Sequence, residues 1–311
     1  MGRWVAKNFV DKGHCVWIMD NLLNCTQKNI REFRNKLAGF VIGDIKDKDA
    51  LSAVFKKNFD ICIHLAAAIN VQESINNPQS CFDNNVIGAF NVLEECRVRK
   101  TKVIFISSAL IYETAIPCES IGEDHPLKPS CPYAASKISG ENLALSYYIA
   151  YNLPVVILRP FSIYGPWQRS DSEGGVMSIF INNMLAGRPL EVFGDGDQGR
   201  DFFYVEDCAE FIARAALSNK AIGKVLNAGS GQEIRIKDLA KKIAGKKAKI
   251  IFIKHHHPKA EIMHMRADSS RARRILGWKA NTGLDEGIKR TKDWLRSQFQ
   301  HTDVAAMQAR G

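Results

Sequence analysis

Tyr133 and Lys137 are four residues apart, and the pair Ser107-Ser108 lies upstream of them. On a helix, residues with this spacing share one face, so the phenol and the ammonium would project side by side. A free tyrosine titrates near pH ~10, and a neighbouring ammonium favours the phenolate and lowers that pKa. With a serine hydroxyl on the same substrate oxygen, these residues would remove a proton from an alcohol while hydride leaves its carbon. The alternative is an ordinary tyrosine and lysine on an exposed helix face, because this spacing alone is common.

The elements that would position these side chains alternate between short apolar strands and helices. Strands that are apolar throughout and alternate with helices indicate a parallel sheet covered on both faces. The segments predicted as strands are 15–19, 40–42, 60–65, 102–106 and 154–158. The segments predicted as helices are 3–12, 26–36, 47–57, a long one from Pro78 to about Arg99, and the one that carries Tyr133 and ends near Tyr151.

Residues able to bind a ligand follow several of these strands. In open parallel sheets, ligands bind outside the carboxyl ends of the strands. The residues at those ends are Asp20, Asp44, the segment 65–68, Ser108 and Arg159-Pro160. The sequence therefore predicts one binding edge, to which the helix of Tyr133 contributes its catalytic face.

The start of the chain has the spacing of a dinucleotide-binding site. Such a fold opens with a strand and a Gly-rich turn that hold pyrophosphate at a helix N-terminus. Gly2 begins a helix and precedes Asp20 by eighteen residues, close to the roughly twenty expected between that turn and the ribose-binding acid. We interpret Gly2 as the last glycine of the turn, with the first strand missing. The Asp20 carboxylate favours NAD over NADP, because it would repel a 2′-phosphate, although it could also be a turn residue. Asp44 could accept a hydrogen bond from the adenine amino group.

The pattern changes after residue 166, where the elements become shorter and more mixed. The fold class predicted is α/β, a Rossmann-like doubly wound parallel sheet whose first strand is missing, with a smaller α/β substrate-binding lobe. The predicted domains are an NAD-binding Rossmann domain at 1–166 with return elements at about 201–228, the smaller lobe at 167–200 and 229–298, and a tail at 299–311 that follows a last amphipathic helix at 285–296.

Composition excludes several other classes of protein. The 311 residues are 46% apolar and 24% charged, and no apolar run reaches the length of a membrane span. Eight scattered cysteines without a C-x-x-C pair indicate reduced thiols, and no signal peptide precedes the first helix, so we predict a cytoplasmic protein. The net charge of +10 is spread thinly, which fits surface solvation or an anionic small molecule better than nucleic acid. Three adjacent histidines, 255–257, cannot all face one ion from a strand, so no metal site is predicted.

Further short motifs, each different, occur along nearly the whole chain, from residue 2 to about 296. They are Gly13-His14, Asp20-Asn21-Leu22, Gly43-Asp44-Ile45, His64 to Ala67, Asn85 to Gly88, Ser107 to Ala109, Tyr133 to Lys137, Arg159 to Phe161, Tyr164 to Pro166, Gly194 to Gly196, Arg200 to Phe202, Tyr204 to Asp207, Asn227 to Ser230 and Leu276 to Trp278. With these motifs the chain resembles the NAD-dependent nucleotide-sugar epimerase/dehydratase family of extended short-chain dehydrogenases/reductases. Its pattern is closest to the UDP-glucose 4-epimerases in that family.

This resemblance implies roles for individual residues. The catalytic set would be Ser108, Tyr133 and Lys137. The NAD site would comprise Gly2, Asp20, Asn21, Asp44, Ile45, Leu65, Ala66, Ala67, Asn85, Tyr133, Lys137 and Pro160. The substrate site would comprise Ser108, Tyr133, Phe161, Ser162, Val192, Phe193 and Arg200. Arg200 would bind the nucleotide diphosphate through its guanidinium fork, the alternative being a surface ion pair with Asp197 or Asp201. The helices after Pro78 and around Tyr133 would form a homodimer interface.

The resemblance implies a nucleotide-sugar 4-epimerase of the UDP-glucose/UDP-galactose or UDP-glucuronate type. Its reaction would pass through a transient 4-keto sugar, with Tyr133 as base. Dehydration is disfavoured because Ala109-Leu110 stands where dehydratases of the family carry an Asp-Glu pair. Glu113 replaces a usual glycine, and His257 or Lys259 would have to replace a second diphosphate-binding arginine. The alternatives are a UDP-glucuronate decarboxylase, a 4-keto-sugar reductase, or a catalytically impaired, truncated NAD-fold protein.

Overall fold

Parallel strands and covering helices alternate along the first half of the chain. The structure, a computed structural model, describes residues 1–169, 175–246 and 248–308. Its strands are β1 (Trp17–Asp20), β2 (Gly39–Ile42), β3 (Ile61–His64), β4 (Lys102–Ile106), β5 (Val155–Pro160), β6 (Ser162–Tyr164), β7 (Leu190–Phe193), β8 (Gly199–Tyr204), β9 (Val225–Ala228), β10 (Glu233–Arg235) and β11 (Ile250–Ile253). Its α-helices are α1 (Gly2–Asp11), α2 (Lys48–Phe55), α3 (Val71–Asn76), α4 (Pro78–Phe82), α5 (Gly88–Arg99), α6 (Pro132–Tyr151), α7 (Val176–Leu185), α8 (Val205–Leu217), α9 (Ile236–Ala244), α10 (Ser270–Leu276) and α11 (Leu284–Gln308).

The main sheet has the strand order β3-β4-β5-β9, and all its strands are parallel. Every residue of β4 is buried, because its alternate side chains enter two different cores. Ile104 and Ile106 belong to one core, whereas Val103 and Phe105 belong to the other. β1 and β2 pair in parallel as a separate two-stranded sheet. This arrangement confirms the predicted Rossmann-like α/β fold.

A second core lies in the later part of the chain. There β7 and β11 pair in parallel, and β8 lies between β10 and β6. Helices α7 and α9 cover β7, and their apolar faces bury residues such as Phe180, Val192 and Leu239. The boundaries that divide the chain into two domains remain a prediction. None of the described helices combines the length and apolarity that spanning a bilayer would require.

Three elements differ from their predicted form. Segment 26–36 forms two short 3₁₀ turns, Gln27–Ile30 and Arg34–Lys36, and Ile30 and Phe33 are buried. The long helix after Pro78 is α4, a π-helical turn at Asp83–Ile87, and α5. Helix α11 continues to Gln308, so it includes most of the segment predicted as a tail.

Helix α6 carries the predicted catalytic face and lies directly on the main sheet. Pro132 occupies its first turn, where a missing N–H costs no hydrogen bond, and the helix ends at Asn152 in a left-handed conformation with φ 54°. A Cβ on Gly140 would lie 2.5 Å from Cζ of Phe105, so the glycine lets α6 approach β4 closely. Tyr133 and Lys137 are thereby fixed above the carboxyl ends of the strands.

Candidate active site

The structure brings Tyr133 and Ser108 together at the end of β4. The Ser108 hydroxyl is close enough to the tyrosine hydroxyl to lower its pKa, and the tyrosine side chain is buried. Burial raises the pKa of Tyr133 to about 12, and the hydrogen bond from Ser108 offsets part of this increase. Ser108 also accepts a hydrogen bond from Leu110 N at 3.2 Å, which holds its hydroxyl in place. The sequence led us to expect a lowered tyrosine pKa, but in the structure desolvation is the larger effect.

Lys137 lies one helical turn after Tyr133 and is also buried. Burial lowers the pKa of Lys137 to about 8, although the charge of Glu141 acts in the opposite direction. Its Nζ lies 5.1 Å from the centroid of the Phe105 ring, a cation–π contact that partly replaces lost water. The ammonium is therefore desolvated and poised near neutral pH.

Sequence reasoning missed His64, which is buried at the end of β3. Burial, together with the charge of Lys137, lowers the pKa of His64 to about 3. The imidazole packs on the Phe105 ring with centroids 5.5 Å apart. His64 is therefore a neutral residue that adds no second positive charge beneath Lys137. Apart from its place in the His64-Leu65-Ala66-Ala67 motif, no sequence signal distinguishes it.

We expect Lys137→Met to raise the stability of the protein while removing its catalytic function. Because the folded pKa lies below the ordinary lysine value of 10.5, the buried ammonium destabilises the fold fully below pH 8. This penalty decreases as the pH rises from about 8 to about 10.5. Lys137→Met should therefore raise the free energy of unfolding at pH 7 by on the order of 2 kcal/mol, and the gain should vanish near pH ~10.5.

Denaturant titrations at several pH values measure this effect, and Lys241→Met provides the control on an exposed lysine. The exposed substitution should change the unfolding free energy by less than about 0.5 kcal/mol. A loss of stability in Lys137→Met at pH 7 would contradict the assignment of Lys137 as a desolvated cation.

The predicted nucleotide-binding residues cluster around β1 and β2. Asp20 ends β1 and accepts a hydrogen bond from Leu22 N at 2.8 Å, which orients its carboxylate. Asn21 Nδ2 donates to Asp44 Oδ2 at 3.2 Å, and Asp44 Oδ1 accepts from Lys46 N at 2.8 Å. Partial burial acts to raise the pKa of Asp44, but these hydrogen bonds lower it overall. The Asp44 carboxylate therefore stays ionised and could accept a hydrogen bond from an adenine amino group.

The start of α1 is open and uncapped. No side chain caps the first turn, and that turn contains no acidic residue. A Cβ on Gly2 would meet only Leu65 Cδ1, at 4.0 Å. The backbone N–H groups of such a helix end attract an anion such as pyrophosphate. Gly2 is thus next to the segment Leu65, Ala66 and Ala67 that follows β3.

Asn85 occupies a different role from the one predicted. Its side chain is buried, and its Oδ1 accepts from Ala68 N at 2.7 Å. Its Nδ2 donates to Ala68 O at 3.0 Å and to Ser136 Oγ at 2.9 Å. The amide is therefore occupied in holding the loop that follows β3, which leaves it little capacity to bind a ligand directly.

The residues of the predicted NAD site fit a dinucleotide. Asp20 could accept a hydrogen bond from a ribose, the uncapped start of α1 could bind an anion, and the buried Ser107 Oγ has no partner among the described residues. Ile45 is buried against Gly88, and Pro160 ends β5 beside β9. These groups surround the carboxyl ends of the parallel strands, where such sheets bind nucleotides.

Arg200, the predicted diphosphate ligand, forms an ion pair with Glu261. Its Nη1 also donates to Ile262 O at 2.6 Å, and His255 Nε2 lies 2.7 Å from Glu261 Oε2. Neither predicted alternative partner is used: Asp197 pairs with Lys237 at 2.5 Å, and Asp201 accepts hydrogen bonds from Ser230. Glu261 is distant in sequence and was not identified from the sequence.

The remaining predicted substrate residues lie on neighbouring strands. Phe161 is buried and stacks on Tyr112 with centroids 6.4 Å apart, and Ser162 begins β6. Phe193 is half-buried and its ring contacts those of His255 and His256. Val192 is fully buried in the second core, so its side chain cannot face a ligand.

A network of buried polar side chains holds helix α6 against the main sheet. Arg159 donates two hydrogen bonds to Glu141 of α6, Nε to Oε1 at 2.9 Å and Nη2 to Oε2 at 2.7 Å. Its Nη1 donates to the Tyr112 hydroxyl at 2.8 Å, and that hydroxyl donates to Asn227 Oδ1 at 2.7 Å. Although burial opposes it, the Glu141 carboxylate raises the pKa of Arg159. The network ties α6 to β5 and β9.

A Rossmann-like parallel sheet with Ser108, Tyr133 and Lys137 near the end of one strand fits the class of enzymes in which NAD would take hydride from an alcohol carbon. The chain belongs to the NAD dependent epimerase/dehydratase family, whose sequence model matches residues 1–229. It is an NAD-dependent enzyme of the epimerase type.

Known proteins resemble the chain over nearly its full length. A putative UDP-glucose 4-epimerase of Methanocaldococcus jannaschii is 35% identical, covering 96% of this chain and 95% of its own. The X-ray structure of Pal from Bacillus thuringiensis is 47% identical, covers 96% of both chains and has a TM-score of 0.94. A UDP-glucuronic acid 4-epimerase from Bacillus cereus, solved with UDP-glucuronic acid and NAD, is 30% identical, covers 96% of both chains and has a TM-score of 0.87.

Proposed function

We propose that this enzyme is a nucleotide-sugar 4-epimerase that acts on UDP-glucose and UDP-galactose, or on the corresponding UDP-glucuronate pair. The observation that carries the proposal is the proximity of the Ser108 and Tyr133 side chains, with Lys137 one turn further along α6. The two named 4-epimerases among the relatives support the same reaction and a UDP-sugar substrate.

In this reaction Tyr133 takes the proton of the sugar C4 hydroxyl, and Ser108 donates a hydrogen bond to the same oxygen. Bound NAD supplies the acceptor for the C4 hydride. The Lys137 ammonium stabilises the phenolate of Tyr133. Because both side chains are buried, this attraction is stronger than it would be in water. Once the resulting 4-keto sugar had rotated in the site and been reduced on its other face, Tyr133 would give the proton back to the C4 oxygen.

Residues around the Ser–Tyr pair favour epimerisation over dehydration. Elimination of water needs an acid that protonates the leaving hydroxyl. The two residues after Ser108 are Ala109, which is buried, and Leu110, and neither can donate a proton. We assign the diphosphate to Arg200, the sugar nucleotide to Phe161 and Ser162, and the NAD side of the site to Pro160.

Incubating the enzyme with NAD and single UDP-sugars tests the proposal. Interconversion of UDP-glucose and UDP-galactose, or of UDP-glucuronate and UDP-galacturonate, is the expected result. Xylose formation with loss of CO₂ would favour a decarboxylase instead, and net consumption of reduced nicotinamide would favour a 4-keto-sugar reductase. A protein that neither binds NAD nor changes any UDP-sugar would fit the catalytically impaired alternative. The same assay with GDP-, CDP- and dTDP-sugars identifies which nucleotide the enzyme accepts.

We also propose that two copies associate through α5 and α6, as a homodimer in the cytoplasm. These helices pack together and expose several large apolar side chains: Phe90, Val98, Tyr148, Ile149 and Tyr151. An interface between two copies would remove these apolar side chains from water.

Ile149→Glu should convert such a dimer to a monomer, because Ile149 is 77% exposed in the single chain and a carboxylate there would be desolvated in the interface. Light scattering measures the mass, and Leu23→Glu controls for an equally exposed residue away from these helices. A wild-type protein that is monomeric at high concentration would contradict the proposal.

A further inference from the structure

The backbone of Tyr133 is held from both sides by buried serine hydroxyls. Tyr133 N donates to Ser74 Oγ at 3.2 Å, and Ser136 Oγ donates to Tyr133 O at 2.7 Å. Ser74 is 2% exposed and Ser136 is 4% exposed, so water does not compete for these bonds. The N–H of the first helical turn would otherwise have no partner. The position of the proposed base is therefore set by more than its own side chain.

Ser136 extends this contact to the loop that follows β3. Its Oγ accepts a hydrogen bond from Asn85 Nδ2 at 2.9 Å. Asn85 holds both backbone groups of Ala68, through Oδ1 and Nδ2. A continuous series of hydrogen bonds therefore joins Ala68, Asn85, Ser136 and the Tyr133 peptide.

The backbone conformation around Asn85 places its side chain where it can form these hydrogen bonds. Asn85 lies within the π-helical turn Asp83–Ile87, which inserts one residue into a helix. Such turns are rare in proteins, but those that occur are often found at functional sites. They redirect a side chain that regular helix geometry would misplace. Cys81, one turn earlier, is also buried and lies 3.4 Å from Asn85 Nδ2, so the space around the amide is closed.

A serine at position 136 is unfavourable for the helix alone. Serine has a lower helix propensity than alanine by roughly 0.5 kcal/mol, and its bond back to the preceding turn slightly weakens helices. Ser146 makes the equivalent bond to Leu143 O at 2.7 Å, but on the exposed side of α6. Ser146 therefore provides a matched residue with the same local geometry and no link to Asn85.

We propose that Ser136 is a positioning residue that couples Tyr133 to the loop at Ala68 through Asn85. The loop follows β3 at the nucleotide-binding edge, so the hydrogen-bond series fixes the distance between that edge and the tyrosine hydroxyl. The inference rests on the proposed function, because it takes Tyr133 to be the base. Errors of ~1 Å in such a position can reduce a rate by about 10²-fold.

The test compares Ser136→Ala with Ser146→Ala. In Ser136→Ala we expect kcat for UDP-sugar epimerisation to fall by about 10- to 100-fold while KM stays within about twofold, because the ligand contacts are intact. Ser146→Ala should retain the wild-type kcat. Ser136→Thr, which restores the hydroxyl, should recover part of the lost kcat.

Two further measurements separate positioning from simple destabilisation. Without added NAD or sugar, amide hydrogen exchange in the peptide 131–138 should be faster in Ser136→Ala and unchanged in Ser146→Ala. Adding Ser136→Ala to Tyr133→Phe should cause no further loss of kcat, since residues that act through one another are not additive.

Each outcome has one meaning. Equal kcat and equal hydrogen exchange in Ser136→Ala and Ser146→Ala would overturn the inference while leaving the proposed function intact. An additive loss in the double variant would overturn it as well. A wild-type protein that converts no nucleotide sugar would overturn the proposed function and, with it, the role assigned to Ser136.

Discussion

Tyr133→Phe should reduce kcat for epimerisation by about 10²–10⁴-fold, the usual contribution of a general base. The substitution removes one hydroxyl from a buried side chain and keeps the ring that fills the space. KM should change little, because the ring still borders the site. The loss of the hydrogen bond to Ser108 should cost the fold about 1 kcal/mol. Initial rates with UDP-galactose, together with a thermal melt, measure both effects.

Tyr148→Phe is the matched control for this variant. Tyr148 lies on the same helix, and its side chain is 37% exposed. It should keep the wild-type kcat, because it lies far along α6 from Ser108. A Tyr133→Phe enzyme with full activity would exclude Tyr133 as the base, whatever the behaviour of the control.

Glu141→Ala should destabilise the protein by about 3–5 kcal/mol, since it leaves the Arg159 guanidinium buried without its carboxylate. Both side chains of this ion pair are almost completely buried, at 6% and 3% exposure. The total stability of a domain is about 5–15 kcal/mol, so this loss is a large fraction of it. Chemical denaturation followed by circular dichroism measures the loss.

Two variants show whether the charge is the cause. Glu286→Ala removes one partner of an exposed pair with Arg290, and should cost at most about 0.5 kcal/mol. The double variant Glu141→Leu with Arg159→Met removes both charges and should recover much of the stability, because a buried ion pair can be replaced by apolar groups of similar volume. A Glu141→Ala protein as stable as Glu286→Ala would show that the network is not needed to hold α6.

The sequence predicted β4 and α6, whose conformations depend mainly on residues that are close together in the chain. β4 was predicted with the correct bounds, because five apolar or partly apolar residues between Thr101 and Ser107 can form only a short buried strand. A helix that carries Tyr133 and ends near Tyr151 was predicted, and α6 ends at Tyr151. The spacing of Tyr133 and Lys137 placed their side chains on one face before any tertiary contact was known.

Features that depend on distant residues could not be predicted. The π-helical turn at Asp83–Ile87 forms where Asn85 must reach Ala68, a contact that no local pattern encodes. Glu261 pairs with Arg200 only because the chain returns to β8 after many residues. The raised pKa of Tyr133 and the lowered pKa of Lys137 follow from burial, which the motif alone does not reveal.

Tracing a C4 deuterium label tests the central claim most directly. The enzyme is incubated with NAD and UDP-galactose or UDP-glucuronate that carries deuterium at C4, and the product is analysed by NMR. Transient oxidation at C4 should give the 4-epimer with the deuterium still at C4, and no net change in the absorbance of reduced nicotinamide. Loss of the label to solvent, a product that keeps the original C4 configuration, or net consumption of reduced nicotinamide would contradict a redox-neutral 4-epimerase in which Tyr133 acts as the base.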